Sequence, residues 1–435
     1  MRTTRLGRMA SLAGTGAKVG FNYLKHYGRK SLTGETDRRP LDEANADAVY
    51  KTFSQLKGGP LKLAQMLSID KNLLPEAYAS QFAKAQYSAP PLSYPLVVRT
   101  FQREFGKAPT ELFDTFSRQA VRGASIGQVH RATKDGRSYA VKVQYPGVAE
   151  SLRSDLGVVK PIALQILGLR EADVREYFRE VEERLLEETD YERELEQSIA
   201  LSQASRGLAV RFPEYHRELS GRRVLAMDWV EGDPLDVYAD SQPPEAERDR
   251  VGQALWDFYH FQIHELRQFH ADPHPGNFLV QDGQLWVLDF GCTKEIPEAY
   301  YEKHFRFLDP ALLDDQQLMT EALVDLGAIL ASDPPEERER MAALCRESVL
   351  LLGQPFREGH FDFGAPEYME QIYAIGEANS KNRELRSLRG ARGSADSVYI
   401  NRAYFGLYSL LVRLRSHVTT ELPDWLRPVR PAEVA

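Results

Sequence analysis

The sequence is poor in cysteine, with Cys292 and Cys345 as its only two thiols. Two cysteines cannot build the disulfide framework of a small secreted domain or a zinc site made of cysteine ligands. The chain also lacks any run of about 18 or more apolar residues, so we predict no transmembrane helix. No apolar core follows the first basic residues, which argues against a secretory signal. These absences favour a reducing, cytoplasm-like compartment.

Acidic residues are absent from the first 34 positions, although the whole chain has a formal charge of -8. The negative total gives no general attraction to nucleic acid, and we expect no nucleic-acid partner. The basic residues of the first 34 positions are Arg2, Arg5, Arg8, Lys18, Lys25, Arg29 and Lys30. A weakly amphipathic basic helix of this kind is typical of contact with an anionic membrane surface. An ordinary surface helix and an organelle transit peptide have the same composition and stay open as alternatives.

The chain has 435 residues, more than one ordinary domain, and 43% of them are hydrophobic. The patterns divide it into a basic segment (1–42), a helical extension (43–117), a β-rich lobe (118–235) and a larger helical lobe (236–435). A sheet that precedes a run of helices indicates an α+β fold. A cleft between two such lobes is a natural site for a small molecule.

The most informative stretch is FHADPHPGNFLV, in which Asp272 precedes Asn277 by five positions. This spacing is typical of a kinase catalytic loop, where the aspartate meets the acceptor hydroxyl and the asparagine binds metal. Further along, VLDFG places Asp289 at the end of an apolar strand. Oxygen ligands of this type suit Mg²⁺. We therefore predict that Asn277 and Asp289 bind Mg²⁺ or Mn²⁺ and that Asp272 positions the attacking hydroxyl or water.

A lysine in an alternating strand completes the pattern, because AVKVQYPG sets Lys142 between apolar neighbours. In kinases such a lysine binds the α- and β-phosphates of the nucleotide and pairs with a helix glutamate. LLEETDYERE lies in a stretch predicted as one long charged helix over residues 173–203, and Glu188 is the predicted partner. Other acids of that stretch, Glu194 among them, are interpreted as a solvated face.

The expected phosphate loop departs from the G-x-G-x-x-G pattern of ordinary kinases. VRGASIGQVH has only Gly123 and Gly127, with Ala124 and Ser125 at the tip of the turn. Fewer glycines predict a stiffer loop with fewer backbone N–H groups available to phosphate, and the Ser125 hydroxyl could contribute instead. MDWVEG would form the hinge, with backbone groups of Asp228 and Val230 facing an adenine.

A second Asp-Phe-Gly occurs in HFDFGAPE, where Ala-Pro-Glu follows at once. It lacks an upstream catalytic loop and an apolar strand before its aspartate. We therefore predict that Asp362 is a turn or helix-cap residue without a metal role, and that Pro366 opens a helix.

These stretches together resemble the UbiB family of protein-kinase-like proteins, associated with coenzyme Q and other isoprenoid lipids. The resemblance runs from about residue 5 to 418 and rests on PLKLAQMLS, SIGQVH, Glu188-Thr189-Asp190, AVKVQYPG, ADPHPGN and LDFG. It implies an atypical kinase-like two-lobed fold whose helical N-terminal extension packs over the active site. Lys62 and Gln65, from the family's K-x-G-Q element, would close the cleft to a peptide substrate.

The sequence departs from the family pattern in two elements. Ala64 stands where the family has glycine, and Arg122-Gly123 replace two alanines of the alanine-rich loop. In the family that loop is thought to restrain nucleotide use. Gly123 therefore leaves the preference between ATP and ADP open.

The resemblance implies an atypical kinase or ATPase that uses ATP with Mg²⁺ or Mn²⁺ in ubiquinone or other isoprenoid-lipid metabolism. A quinone precursor or isoprenoid lipid and an anionic membrane surface are the implied partners. The implied location is cytoplasmic, peripheral at an inner membrane, or the mitochondrial matrix in a eukaryote. Two other classes stay open: a small-molecule phosphotransferase of the aminoglycoside or choline kinase type, and a non-enzymatic lipid-binding scaffold.

Overall fold

The structure, a computed structural model, describes residues 14–15, 18–19, 21–22, 25, 39–56, 92–124, 126–167, 171, 175, 179, 182–183, 185–381 and 394–420. The predicted site residues Lys62, Gln65 and Ser125 lie outside this set. Most of the basic N-terminal segment also lies outside it.

The helices are, in chain order, α1 (Arg39–Leu56), α2 (Tyr94–Phe105), α3 (Pro109–Leu112), α4 (Val148–Leu167), α5 (Tyr191–Ala204), α6 (Leu235–Asp240), α7 (Glu245–Phe261), α8 (Glu298–Phe305), α9 (Pro310–Asp314), α10 (Gln316–Asp325), α11 (Pro335–Leu352), α12 (Pro366–Lys381) and α13 (Ala395–Leu414). The strands are β1 (Thr115–Phe116), β2 (Arg122–Gly123), β3 (Gly127–Lys134), β4 (Arg137–Gln144), β5 (Val210–Arg211), β6 (Val224–Asp228), β7 (Asp233–Pro234), β8 (Gln268–His270), β9 (Phe278–Gln281), β10 (Gln284–Val287), β11 (Thr293–Glu295), β12 (His360–Asp362) and β13 (His417–Thr419).

The chain divides into two units. Unit 1 comprises Met1–Ile199 and Pro213–Val230, and unit 2 comprises Ala200–Phe212 and Glu231–Ala435. Each unit has its own hydrophobic core. The mixture of an antiparallel sheet and segregated helices confirms the predicted α+β class.

Unit 1 is built on a five-stranded antiparallel sheet in the order β1-β3-β4-β6, with β2 added along β3. The predicted hairpin of β3 and β4 is present, and its two turn residues, Asp135 and Gly136, have φ angles of 50° and 77°. Two successive positive φ angles fit a tight turn that matches the twist of the flanking strands. The register opposes Val129 to Lys142, which fixes the face that the lysine occupies.

Helix α2 covers one side of this sheet and lies in the stretch predicted to be helical, which ends in strand β1 rather than in a helix. Its apolar face buries Val97 and Phe101, and Phe101 meets Phe116 edge to face with ring centroids 5.4 Å apart. The helix ends at Gly106, which adopts φ 68° and donates its N–H to the carbonyl of Gln102. A glycine in this left-handed conformation is a common helix end.

The long helix predicted over residues 173–203 is interrupted. The described residues up to Glu187 are helical, residues 188–190 form a turn, and α5 starts anew at Tyr191. A side-chain oxygen of Asp190 accepts a hydrogen bond from the N–H of Arg193 at 3.3 Å. An aspartate that caps new N–H groups in this way begins a helix rather than continuing one.

Unit 2 is organised around α7 and α13, which enclose an aromatic core with the strands. Trp256, Phe258, Tyr259, Phe278, Phe290, Phe363 and Tyr408 are all buried there. The helical pattern predicted through residue 268 ends earlier, since α7 passes into a π-helical turn (Gln262–Leu266) and Arg267 adopts φ 53°. Strand β8 then leads into the predicted catalytic loop. Among the described residues, no helix combines the length and apolar character needed to cross a bilayer.

Burial sets the protonation state of His264 in this core. Its Nδ1 lies 2.8 Å from the hydroxyl of Tyr301 and its Nε2 lies 3.2 Å from the hydroxyl of Tyr404. Desolvation lowers the pKa of His264 from 6.5 to about 3, and the nearby positive charge of Arg267 adds to the effect. The folded protein therefore keeps this imidazole neutral at pH values where the unfolded chain would take up a proton.

We expect acid to destabilise unit 2 through His264. Above pH 6.5 the group is neutral in both states; between pH 6.5 and about 3 only the unfolded state binds the proton. Over that window His264 alone should lower the free energy of unfolding by about 1.4 kcal/mol per pH unit, and His260 and His304, whose pKa values burial also lowers, add to the fall. Denaturant unfolding at pH 7.5, 6 and 5 measures the slope. His264→Gln should be less stable at pH 7.5 but show a shallower slope, whereas His360→Gln, which removes an exposed histidine of the same unit, should keep the wild-type slope. Equal slopes in all three proteins would contradict the prediction.

Candidate nucleotide and metal site

The predicted phosphate lysine lies buried in unit 1 and is paired with a carboxylate. Lys142 is 8% exposed, and its Nζ donates a hydrogen bond of 2.7 Å to Oε1 of Glu194, which is 4% exposed. The same Nζ lies 5.0 Å from the ring centroid of Tyr191, within cation–π range. Val141 and Val143 point to the opposite side of β4, into the core, so strand alternation directs Lys142 toward α5.

Glu194 was interpreted from the sequence as part of a solvated face, and that interpretation is wrong. Because the helix is interrupted at residues 188–190, the faces of α5 do not continue those of the preceding helical residues. Glu194 is buried as a result. The predicted partner, Glu188, is buried beside this helix break, and its role toward Lys142 stays a prediction. A helix-start signal at Asp190 could have revealed the change of face.

At Gly127, strand β3 packs very closely against β4 and against the side chain of Tyr191. A Cβ atom at Gly127 would lie 2.5 Å from the carbonyl oxygen of Val143 and 2.7 Å from the hydroxyl oxygen of Tyr191. Both distances are too short for any side chain. Glycine is therefore required at this position of SIGQVH for packing beside the lysine strand.

Two hydrogen bonds between Ala124 and Gly127 close a turn in the predicted phosphate loop. The N–H of Ala124 donates to the carbonyl of Gly127 at 2.9 Å, and the N–H of Gly127 donates back at 3.4 Å. A Cβ at Gly123 would meet nothing within 4 Å, so an alanine would fit there. Because the turn uses both of these N–H groups, they are engaged within the protein rather than presented to a phosphate.

Two buried polar side chains of SIGQVH tie the sheet to the segment before α2, a role that the sequence did not suggest. Gln128 accepts a 2.6 Å hydrogen bond from the N–H of Leu92, and its amide nitrogen lies 2.7 Å from Nε2 of His130. His130 Nδ1 in turn lies 2.7 Å from the carbonyl oxygen of Ser117. Burial lowers the pKa of His130, which suits a neutral imidazole that donates through Nδ1 and accepts through Nε2.

The first predicted hinge contact, Asp228, is the last residue of β6. The N–H of Asp228 donates to the carbonyl of Glu214, and its carboxylate lies 2.8 Å from His216 Nε2. A contact between Asp228 and an adenine would therefore use its carbonyl oxygen. The part of Val230 in such a contact stays a prediction.

The predicted catalytic loop lies in unit 2, and hydrogen bonds within the loop fix its conformation. His274 Nδ1 accepts a hydrogen bond from the N–H of Gly276 at 3.0 Å, and the side-chain nitrogen of Asn277 donates to the backbone carbonyl of Asp272 at 2.9 Å. Nη2 of Arg402, from α13, donates to Oδ1 of Asp272 at 2.6 Å. Arg402 was not predicted, because no local pattern links residues 130 positions apart.

Asn277 and Asp289 are brought together by the pairing of β9 with β10. Phe278 opposes Val287, and the N–H of Leu288 donates to the carbonyl of Asn277 at 2.9 Å. Asp289 follows at the end of that strand, where one carboxylate oxygen accepts the N–H of Gly291 at 2.7 Å. Since the amide nitrogen of Asn277 is engaged with Asp272, its Oδ1 points the other way. A carboxylate and an amide oxygen are the kinds of hard ligand that fit Mg²⁺ or Mn²⁺.

The second Asp-Phe-Gly confirms its predicted turn role. Asp362 ends β12, and its Oδ1 accepts the N–H of Gly364 at 2.6 Å. Helix α12 begins at Pro366, as expected. Strand β12 pairs with β13 rather than with a catalytic loop.

Units 1 and 2 thus define a protein-kinase-like enzyme: a paired lysine on an antiparallel sheet, and a catalytic loop followed by Asp-Phe-Gly among helices. The particular family follows from comparison with known proteins. Residues 84–323 match the ABC1 atypical kinase-like domain, and the chain belongs to this family of UbiB-type atypical kinases.

Several relatives are similar over most of this chain. The atypical kinase COQ8B, mitochondrial, of Rattus norvegicus is 28% identical over 95% of this chain and 79% of its own length. The atypical kinase coq-8, mitochondrial, of Caenorhabditis elegans is 28% identical over 96% of this chain but 56% of its own length. The structure of Rv3197 with erythromycin, from Mycobacterium tuberculosis, has a TM-score of 0.60 and 26% identity, covering 89% of this chain and 98% of that one.

We expect Glu194→Gln to destabilise unit 1 more than Glu188→Gln does. Removing one partner of a buried ion pair costs about 3–5 kcal/mol, because the remaining charge stays buried. Denaturant unfolding followed by a unit 1 signal measures the difference. Glu192→Gln, which removes an exposed acid from the same helix, is the matched control and should change stability by less than about 0.5 kcal/mol. A larger loss in Glu188→Gln than in Glu194→Gln would return the main pairing role to Glu188.

Proposed function

We propose that this protein binds ATP together with Mg²⁺ or Mn²⁺ and either hydrolyses it or transfers its terminal phosphate to an acceptor other than an ordinary protein. The observation that supports the proposal is the hydrogen bond from the N–H of Leu288, the residue before Asp289, to the backbone carbonyl of Asn277. Turn aspartates are common, but a catalytic-loop asparagine whose amide nitrogen is bonded to the Asp272 carbonyl, followed by a strand-end Asp-Phe-Gly aspartate, supports a kinase-type metal site.

In the proposal, each predicted site residue has its own role. Lys142, held by Glu194, contacts the α- and β-phosphates. Asp272 orients the attacking hydroxyl or water, and Asn277 and Asp289 hold the metal ion. When bound, the ion would neutralise charge on the β- and γ-phosphates. Lys62 and Gln65 keep the roles that the resemblance implies. The Ser125 hydroxyl stays a candidate contact to phosphate, and Glu188 stays a candidate second carboxylate for Lys142.

An ordinary protein acceptor is disfavoured by the chain that follows Asp289. Within the continuous described stretch 185–381, β11 begins at Thr293 and α8 begins at Glu298. This leaves no long activation segment of the kind that docks a peptide in ordinary kinases. The acceptor in this proposal is therefore water or a metabolite.

The metabolic part of the proposal rests on the family. UbiB-type membership and relatives named COQ8B and coq-8 support a role in ubiquinone or other isoprenoid-lipid metabolism. Those two relatives are named as mitochondrial, and we propose that this chain acts at an equivalent membrane surface through its basic N-terminal segment.

We expect Asp289→Asn to abolish stabilisation by MgATP. A ligand at 100 times its Kd stabilises the folded state by about 2.7 kcal/mol, which is readily seen as a rise in melting temperature. The matched control is Asp362→Asn, because both aspartates accept the N–H of the glycine two residues on. Wild type and Asp362→Asn should show the shift with MgATP, and Asp289→Asn should not. The same shift in all three proteins would refute the metal role of Asp289.

We further expect anionic vesicles that carry a hydrophobic quinone-precursor mimic to raise MgATP hydrolysis by wild type. The reason is that the basic N-terminal segment would concentrate the enzyme at a negative surface. Vesicles of neutral lipid are the control, and Asp272→Ala gives the background rate. Wild-type hydrolysis no higher than in Asp272→Ala would favour a non-enzymatic scaffold. Phosphate transfer to a soluble amine or alcohol would favour a small-molecule kinase.

A further inference from the structure

One face of α13 contacts the catalytic loop and the strand that follows Asp-Phe-Gly. Asp396 lies 3.5 Å from Lys294 Nζ, and the ring centroid of Tyr399 lies 5.2 Å from the same nitrogen. Further along the helix, Arg402 bonds Asp272 and Gly406 packs on Pro273. Positions three and four apart lie on one side of a helix, so these contacts form a single continuous face.

Gly406 shows how closely the helix approaches the loop. A Cβ atom there would lie 2.1 Å from Cγ and 2.9 Å from Cβ of Pro273. Glycine inside a helix is otherwise unfavourable, since it lowers helix propensity. The contact with Pro273, the residue after Asp272, explains why the helix has a glycine at this point.

Arg402 acts on the carboxylate of Asp272 itself. The side chains of Arg402 and Asp272 are 11% and 18% exposed, so their 2.6 Å hydrogen bond is shielded from solvent. A hydrogen bond between two charged groups is stronger and more directional than a neutral one. With Asn277 bonded to the Asp272 backbone carbonyl, the loop is fixed at both the main chain and the side chain of this aspartate.

We propose that Arg402 is a positioning residue for Asp272 and that α13 braces the catalytic loop. This inference rests on the proposed function, in which Asp272 orients the attacking group. Misplacement of such a group by about 1 Å can reduce a rate about 100-fold. Loss of the brace should therefore reduce turnover more than nucleotide binding.

The test compares full-length Arg402→Gln, Arg402→Lys and Gly406→Ala with wild type in MgATP hydrolysis. Arg413→Gln is the matched control, because Arg413 lies on the same helix but pairs with Asp240. Arg402→Gln should lower kcat roughly 10- to 100-fold and change KM for ATP by less than about threefold. Arg402→Lys, which keeps the charge, should recover part of kcat, and Gly406→Ala should lower kcat by displacing Pro273. Arg413→Gln should stay within about twofold of wild type.

A second readout does not depend on catalysis. Hydrogen–deuterium exchange of the amides at 271–277 should be faster in Arg402→Gln and Gly406→Ala than in wild type and Arg413→Gln. Wild-type kcat and wild-type exchange in a folded Arg402→Gln or Gly406→Ala would overturn the brace. If wild type shows neither metal-dependent ATP hydrolysis nor stabilisation by MgATP, the proposed function fails, and faster exchange in Arg402→Gln would still support the structural brace.

Discussion

The burial of the Lys142 ammonium group is the constraint on which unit 1 depends. A charged amine that is 8% exposed needs a carboxylate partner, and Glu194 supplies it at 2.7 Å. That pairing fixes where α5 must lie against β4, and it accounts for the glycine at position 127, where any side chain would strike Val143 or Tyr191. The turn at residues 188–190 is the means by which the chain redirects α5 to meet the lysine.

In unit 2 the corresponding requirement of the proposed site is to orient the side-chain oxygens of Asp272, Asn277 and Asp289. Unit 2 does so with hydrogen bonds to the backbone rather than with burial alone. The Asn277 carbonyl is bonded to Leu288, the Asn277 amide is bonded to the Asp272 carbonyl, and an Asp289 oxygen is bonded to Gly291. The bonds of the Asn277 amide and of the Asp289 carboxylate orient these two side chains, as the proposed metal site would require.

The parts of this arrangement that are close in sequence could be predicted, and the parts that are distant could not. The hairpin through Asp135 and Gly136 and the turn role of Asp362 followed from local patterns. Glu194 was missed because many acids share its neighbourhood and the helix changes direction just before it. Arg402 was missed because only the tertiary fold brings α13 to a loop 130 residues earlier.

The hydrogen bonds between Ala124 and Gly127 limit how the predicted phosphate loop could bind a nucleotide. The loop's N–H groups at Ala124 and Gly127 bond to each other's carbonyls, so two donors that a glycine-rich loop would offer to phosphate are already used. In the proposed function, the attraction for a triphosphate would come mainly from Lys142 and from a metal ion on Asn277 and Asp289. Nucleotide binding would then depend strongly on the metal ion. The Asp-Phe-Gly aspartate and the catalytic-loop asparagine would matter more than in a kinase whose loop wraps the phosphates.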